Sequence, residues 1–122
     1  MRKNSYGRIV NVSSTRQEQA HAGSTAYCSA KGGIFMLNRV MAVELAPLGI
    51  CVNSIAPGTI TTDLNRSYLS DAGFREKRVG EIPIGRLGET EEVVGAAVFL
   101  ASEEASFCVG ASIMVDGGQT LV

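Results

Sequence analysis

The sequence predicts an α/β fold in which three parallel strands are joined by helical crossovers. Short runs rich in β-branched residues recur along the 122-residue chain, and segments with apolar residues at helical spacing lie between them. Gly or Pro closes most of these runs. An apolar content of 45% with 19% charged residues is typical of a globular domain. We therefore expect these elements to share one core.

The first part of the chain is predicted to form a strand, a helix and a second strand. Residues 7–12 are β-branched and run directly into two serines, as a buried parallel strand that ends in an active loop would. Residues 27–46 form the predicted helix, with Ser24 or Thr25 as its expected cap. Residues 50–56 form the second predicted strand, which a Pro-Gly pair stops. The expected core face of the helix is Ala30, Ile34, Leu37, Met41 and Leu45.

The second part is predicted to form an excursion, a helix and a strand. Residues 59–83 have mixed polarity, so we expect one or two short amphipathic helices that could serve as a lid. Thr90 is expected to cap a helix whose first turn holds two glutamates, which complement the positive end of the helix dipole. Residues 110–115 are the final predicted strand, closed by a turn at 116–118. The expected apolar side of the helix is Val93, Val94, Ala97, Val98 and Leu100.

The handedness of the two connections predicts where the helices lie. Right-handed crossovers between successive parallel strands place both helices on the same face of the sheet. The other face is then uncovered, whereas a parallel sheet normally has cover on both faces. We therefore expect the chain to be part of a larger unit or to cover that face with a partner.

Charge and hydropathy exclude several classes of protein. The net charge of −1 and the pI near 5.8 give neither a basic nucleic-acid footprint nor an acidic tail. The unbroken apolar stretches are far shorter than the ~20 residues that a membrane span needs, and no apolar segment follows the N-terminus as in a signal peptide. We expect a cytoplasmic protein with no nucleic-acid or membrane partner.

The three cysteines are widely spaced and form no Cys-x-x-Cys pair, so the sequence predicts neither a metal site nor a disulfide. Cys51 and Cys108 are expected to be buried structural thiols. Cys28 adjoins a candidate active tyrosine, and a redox or nucleophilic role for it is the lesser alternative.

Ser14, Tyr27 and Lys31 are the candidate catalytic residues. Tyr27 and Lys31 are four positions apart at a predicted helix start, so a phenol and an ammonium face the same cleft. An ammonium close to a phenol favours the phenolate, which makes such a pair a plausible general acid and base. Ser14 lies at the end of the first predicted strand. The three residues together predict a proton relay that handles a carbonyl.

Four segments together resemble the short-chain dehydrogenase/reductase family. They are residues 7–14 (Gly-Arg-Ile-Val-Asn-Val-Ser-Ser), residues 27–31, residues 53–58 (Asn-Ser-Ile-Ala-Pro-Gly) with the following residues 61–63, and residues 115–118. Their order and spacing are similar to those of the C-terminal half of that family. The resemblance implies a partial doubly wound, Rossmann-like sheet, of which this chain supplies the last three strands with their crossover helices.

The resemblance also implies hydride transfer between NAD or NADP and the CH–OH or carbonyl group of a small molecule. Tyr27 would give or take the proton. Lys31 would hold the hydroxyls of the nicotinamide ribose and favour the phenolate, and Ser14 would donate a hydrogen bond to the substrate oxygen. Family members commonly associate, so a homo-oligomer is expected.

Four further residues match the cofactor-binding positions of the family. Pro57 and Gly58 match the turn that passes close to the nicotinamide, where a side chain on Gly58 would obstruct approach. Ile60 and Thr62 match positions that commonly contact the carboxamide. Tyr27 and Lys31 belong to the same expected cofactor site.

Parts of the family pattern are missing from this sequence. The glycine-rich turn that binds the pyrophosphate does not occur, and neither do the selector of NAD against NADP and a catalytic asparagine. We therefore expect residues 1–122 to be the C-terminal part of one NAD(P)-binding domain, without its dinucleotide-binding half and inactive alone. The alternative is a non-catalytic product that acts only in oligomerisation or interaction. The sequence does not identify the substrate.

His21, the single histidine, is expected to face water, with a place in the substrate pocket as the alternative. A hydrolase built from Ser14 and His21 is not supported, because no Gly-x-Ser-x-Gly elbow surrounds the serine. The charged residues 75–78 are interpreted as a solvated face.

Overall fold

The computed structural model describes all 122 residues and contains one sheet of three parallel strands in the order β1-β2-β3. The α/β prediction is confirmed. The last strand begins two residues later than predicted, because Gly110 adopts a left-handed turn conformation (φ 76°). The elements follow one another as β1 (Gly7–Val12), α1 (Thr25–Leu45), β2 (Ile50–Pro57), α2 (Arg66–Leu69), α3 (Ala72–Gly80), α4 (Thr90–Ala101) and β3 (Ser112–Val115).

The helices α1 and α4 cover opposite faces of the sheet. Ala42 of α1 packs in one cluster with Val52 of β2, whereas Leu100 of α4 packs in another with Ile55, which points to the opposite face of the same strand. The prediction that both helices share a face is therefore wrong. The connection from β1 to β2 and the connection from β2 to β3 cross the sheet in the same direction. Because their helices lie on opposite faces, the two connections have opposite handedness.

The long second connection explains this difference. The right-handed preference arises where a short crossover must follow the twist of the strand that feeds it. Between β2 and α4 the chain first passes through α2 and α3, which form their own apolar cluster, so this constraint is relaxed. Both faces of the sheet are covered, and the two predicted short helices of the excursion are present. The cluster contains Leu69, Ile82 and Leu87, with Val79 packed against it.

The buried faces of the two long helices differ in detail from those predicted. In α1, Leu37 is 52% exposed, whereas the neighbouring Asn38 is fully buried. The Asn38 amide is satisfied there, because its oxygen accepts a hydrogen bond from Asn11 (3.0 Å) and its nitrogen donates to the carbonyl of Ala111 (3.4 Å). In α4, Val94 and Val98 are exposed, while Val93, Ala96, Ala97 and Leu100 pack on the sheet.

The start of α1 has the predicted cap residue, whereas the start of α4 does not. Ser24 occupies the cap position of α1, but its hydroxyl is bonded to His21 rather than to the helix. At α4 the cap residue is Glu89, not Thr90. The Glu92 carboxylate accepts the Glu89 N–H (2.9 Å), as in a capping box. The cap of α4 therefore lies one residue before the predicted one.

Glu92 is also held by Arg86, whose two terminal nitrogens donate to the two carboxylate oxygens (2.8 and 2.7 Å). The hydrogen bond from Arg86, followed by that from the Glu89 backbone, lowers the pKa of Glu92 from 4.5 to about 2. Because the folded carboxylate keeps its charge to lower pH, its contribution to stability is complete above its ordinary pKa. That contribution is lost as the pH falls from 4.5 toward 2.

Glu92→Gln tests this linkage. Glutamine keeps the capping bond but does not titrate. We therefore expect the unfolding free energy of the wild type to fall relative to that of the variant between about pH 5 and pH 2. Urea unfolding followed by circular dichroism at several pH values measures the difference, since the chain has no tryptophan. Parallel pH profiles for the two proteins would contradict it.

Candidate active site

One cavity of about 630 Å³ lies at the carboxyl ends of β1 and β2, beside α4. All seven candidate site residues line it, although they come from separate segments of the sequence. Parallel strands place their carboxyl ends at one edge of the sheet, and that arrangement brings these segments together. The candidate residues in its wall are Ser14, Tyr27, Lys31, Pro57, Gly58, Ile60 and Thr62.

Ser14 follows directly after β1 and is largely buried. Its Oγ accepts the N–H of Arg16 (3.2 Å) and so caps a short 3₁₀ turn at Thr15–Gln17. Accepting this bond leaves the hydroxyl hydrogen available for donation. Ser13 is engaged differently, because its hydroxyl donates to the backbone carbonyl of Lys31 (3.3 Å) and joins the loop to α1. Of the two serines, Ser14 has the donor suited to a ligand.

Tyr27 and Lys31 lie one turn apart near the start of α1. Tyr27 is 50% exposed, which leaves its ring in the cavity wall. The Lys31 ammonium lies 5.6 Å from the centre of that ring and donates to the carbonyl of Val12 (3.2 Å). An ammonium has three donors, so two remain for other partners. The phenol and the ammonium therefore line the same cavity.

The segment after β2 forms the facing wall and is held by two sets of hydrogen bonds. Ile60 forms a parallel bridge with Gly88, in which the Thr61 N–H donates to the Gly88 carbonyl (2.8 Å). On the other side, Asn65 accepts the Thr62 N–H (2.8 Å) and donates to the Ile60 carbonyl (2.6 Å). The residues that hold this wall, Asn65 and Gly88, lie outside the sequence motifs from which the site was predicted.

Gly58 is in close contact with the end of the chain. A Cβ at this position would lie 2.8 Å from the Asp116 Cα and 2.8 Å from the Gln119 Oε1. The sequence suggested that glycine is needed here for the approach of a cofactor. Packing of the chain itself already requires it.

Gly58→Ala is expected to lower the unfolding free energy by about 1–3 kcal/mol, because backbone at Asp116 must move to admit the methyl group. Urea unfolding by circular dichroism measures this. The matched control is Gly95→Ala within α4, where nothing lies within 4 Å, and a helical alanine there should stabilise by up to about 1 kcal/mol. Equal effects of the two substitutions would contradict the prediction.

Asp116 supports the turn that follows β3. Burial raises the pKa of its carboxyl, but hydrogen bonds from the Thr120 side chain and from the backbone outweigh that effect and lower it. The carboxylate accepts the Gly118 N–H (3.0 Å), the Thr120 N–H (2.9 Å) and the Thr120 hydroxyl (2.7 Å). These bonds fix the 3₁₀ turn at Gln119–Leu121 beside Gly58.

His21 lies outside the site cavity. It is half-buried and lines a second cavity with Arg16 and Glu81 among others, so the prediction that it faces water is only partly right. Its Nε2 is 3.0 Å from an Arg78 nitrogen, which is always a donor, so Nε2 accepts and Nδ1 donates to Ser24. His21 therefore links the loop before α1 to α3, and it does not line the site cavity that contains Ser14.

The three cysteines form no disulfide and belong to no metal site. All three cysteines are free, with Cys51 buried and Cys28 and Cys108 half-buried. No group of three or more His, Cys, Asp or Glu residues is arranged to hold a metal ion.

None of the helices combines the length and the hydropathy that a membrane span requires.

Sequence reasoning missed three residues that shape the site, namely Asn65, Gly88 and Gln119. Asn65 follows the motif closely, and its place just before a short helix is the one local signal that could have indicated a turn-forming amide. Gly88 and Gln119 are distant in sequence from the segment they hold, so no local pattern marks them.

The chain matches the family model described as "Enoyl-(Acyl carrier protein) reductase" over residues 1–120. It is 44% identical to the L-rhamnose 1-dehydrogenase (NAD(P)(+)) of Azotobacter vinelandii, covering 92% of this chain and 44% of the relative. It is 42% identical to the acetoacetyl-CoA reductase of Shinella zoogloeoides, covering 100% of this chain and 50% of the relative. The chain thus spans about half the length of these curated relatives.

Solved structures also match nearly the whole of this chain and about half of their own length. The gluconate 5-dehydrogenase of Burkholderia cenocepacia, determined in complex with NADP and tartrate, superposes with a TM-score of 0.95 at 37% identity. The match covers 99% of this chain and 48% of that one. A short-chain type dehydrogenase/reductase from Mycobacterium ulcerans matches with a TM-score of 0.95, also at 37% identity, over 99% of this chain and 44% of that one. The similarity therefore extends over nearly every residue described above.

Proposed function

This chain belongs to the short-chain dehydrogenase/reductase family, and on that premise we propose that it carries the reacting end of an NAD(P)-dependent oxidoreductase. The reaction would be hydride transfer between the cofactor and an alcohol or carbonyl. The observation that carries the proposal is one cavity, in which the loop after β1 places the Ser14 hydroxyl and α1 places the phenol of Tyr27 and the ammonium of Lys31, opposite the segment after β2.

In this proposal Tyr27 gives the proton to, or takes it from, the substrate oxygen. Lys31 lies beside the Tyr27 ring, and its two remaining donors suit the vicinal hydroxyls of a ribose. Ser14 offers its hydroxyl hydrogen to the same substrate oxygen, where negative charge develops. In this arrangement Ser14 and Tyr27 would share the substrate oxygen while Lys31 would hold the ribose, and all three residues line the same cavity.

The wall formed by Pro57, Gly58, Ile60 and Thr62 is proposed to hold the nicotinamide of NAD or NADP. The residues present fit such a group, because the cavity combines an ammonium, several hydroxyl groups and an apolar wall, as a ring attached to a ribose requires. When bound, the cofactor supplies or accepts the hydride. The chain's own residues orient it and manage the proton.

We further propose that these residues correspond to the C-terminal part of a single NAD(P)-binding domain. Binding of the pyrophosphate would depend on a glycine-rich turn that these residues do not contain. Without it the nicotinamide is not held in position, and loss of that positioning can remove about 7–11 kcal/mol of barrier reduction. The chain alone is therefore expected to be inactive.

Calorimetric titration of the 122-residue chain with NADH and NADPH tests cofactor binding. We expect no saturable binding by either. Tight binding by one of them would contradict the proposal that pyrophosphate binding depends on residues outside the chain.

A chimera tests the reaction itself. The amino-terminal half of the Shinella zoogloeoides acetoacetyl-CoA reductase is joined in front of this chain, and absorbance of the reduced nicotinamide is followed with acyl-thioester, sugar, steroid and simple alcohol substrates. Oxidation or reduction of at least one class supports the proposed function. A folded chimera that binds NADPH but acts on none of them would contradict it.

The outer face of α1 favours a second candidate, in which the chain acts only by association. Met36, Leu37, Val40 and Val43 are exposed apolar residues on this helix, which we propose as the surface of a homo-oligomer. Light scattering of the purified chain and of its Val40→Glu variant tests this. A monomeric wild type would contradict the association role, whereas the chimera experiment decides the enzymatic one.

A further inference from the structure

A chain of hydrogen bonds joins the two walls of the site cavity through Gln119. We infer that Gln119 is a positioning residue, which fixes Thr59 on one wall and the Ser14 loop on the other. The inference extends the proposed function, because it states how the cavity keeps its shape. Gln119 does not line that cavity itself.

The first link runs from Gln119 to the wall after β2. Its Oε1 accepts the Thr59 N–H (3.0 Å) and the Thr59 hydroxyl (3.2 Å), and Gln119 is only 2% exposed. Thr59 lines the cavity between Gly58 and Ile60. The absence of a side chain on Gly58 leaves the room in which the amide sits. One buried oxygen thus satisfies two donors of the wall.

The second link runs to the Ser14 loop. The Gln119 carbonyl accepts a hydrogen bond from Gln19 Nε2 (3.3 Å), and Gln19 Oε1 accepts one from Arg16 Nη1 (2.9 Å). The backbone N–H of Arg16 in turn donates to the Ser14 Oγ (3.2 Å). The residue that holds Thr59 therefore also restrains the turn that Ser14 caps.

The turn that presents Gln119 is itself fixed. The Gln119 N–H donates to the Asp116 carbonyl (3.1 Å), and Gly118 adopts a left-handed conformation (φ 88°) immediately before it. The Asp116 carboxylate holds the rest of the turn. Gln119 therefore has little freedom to move away, which a positioning role requires.

Amide hydrogen exchange in this chain tests the inference without any activity. In Q119M, a side chain of similar length lacks the acceptor, and we expect the Thr59 amide to exchange about tenfold faster or more. In Q119E the carboxylate accepts the same two donors, so exchange at Thr59 should stay close to that of the wild type. The Val52 amide in β2 reports on global stability.

Any of three results with the Gln119 variants would overturn the inference. They are unchanged exchange at Thr59 in Q119M, an equal rise at Val52, and equally fast exchange in Q119M and Q119E. Q19L is a milder variant at a half-buried position and interrupts the second link. It should accelerate exchange at the Arg16 amide, and no change there would also overturn the inference.

The chimera separates this inference from the proposed function. Q119M in the chimera should lower kcat by about tenfold or more, with a smaller change in the KM for NADPH, because misplacement of the wall affects the reacting end. Faster exchange with an unchanged kcat would overturn the positioning role. An inactive wild-type chimera would contradict the proposed function and leave the exchange result standing.

Discussion

Replacing Tyr27 with phenylalanine in the chimera is expected to lower kcat/KM by about 10²–10⁴-fold, the usual contribution of a positioned general acid or base. The substitution removes only the phenolic oxygen. The ring remains beside the Lys31 ammonium, so the shape of the cavity is preserved. Cofactor binding, measured by titration with NADPH, should change little, because the proposed proton transfer occurs in the chemical step.

Tyr6→Phe is the matched control, since it removes the same oxygen from a tyrosine outside the site cavity. The Glu103 carboxylate beside Tyr6 raises the pKa of its phenol, and the ring lies against the Arg8 guanidinium at the other end of the sheet. We expect kcat/KM of this variant to be close to that of the unmodified chimera. Similar losses for both tyrosines, or full activity of the Tyr27 variant, would contradict the proposed role.

Asn53→Ala is expected to cause the largest loss of stability, about 2–5 kcal/mol of unfolding free energy. Asn53 lies in β2, is fully buried, and bonds twice to the segment that leads into β3. Its nitrogen donates to the Cys108 carbonyl (2.7 Å) and its oxygen accepts the Ala111 N–H (2.9 Å). Alanine would leave both backbone groups without these partners and would also leave a cavity.

Urea unfolding by circular dichroism measures this loss. Asn4→Ala is the control, because Asn4 is exposed in the N-terminal 3₁₀ turn and its replacement should change the free energy by less than about 0.5 kcal/mol. Asn53→Asp keeps the acceptor for Ala111 but places a buried carboxylate oxygen against the Cys108 carbonyl, so a loss at least as large as that of alanine is expected. A loss below about 1 kcal/mol for Asn53→Ala would contradict the argument.

The elements of the fold were largely predictable from the sequence, because local patterns define them. The first strand has the predicted bounds, and the second extends by one residue into Pro57. The helix predicted at residues 27–46 begins at Thr25, next to the predicted cap. Ser14, Tyr27 and Lys31 were predicted from residue type and spacing and the four other candidate residues from the family resemblance, and all seven line one cavity. Parallel strands bring motifs at their carboxyl ends to one edge, so correct elements were enough to gather them.

The predictions that failed concern packing across the sheet. The face chosen by α4 depends on a long connection whose path no local pattern specifies. Asn38 is buried although it is polar, because Asn11 and Ala111 satisfy its amide from distant parts of the chain. Leu37 is exposed because the helix directs its neighbour Asn38, and not Leu37, toward the sheet.

The sequence by itself determined the order of strands and helices and the family, and it supplied the residues that we propose to move a proton. Only the tertiary structure decided which helix covers which face, and that Gln119 and Asn65 hold the wall beside the candidate site. The physical reason is the separation along the sequence over which each kind of interaction acts. Helical periodicity, β-branching and turn residues act within a few positions of the chain, whereas a buried amide is stabilised by whichever partner the completed fold places within hydrogen-bonding distance.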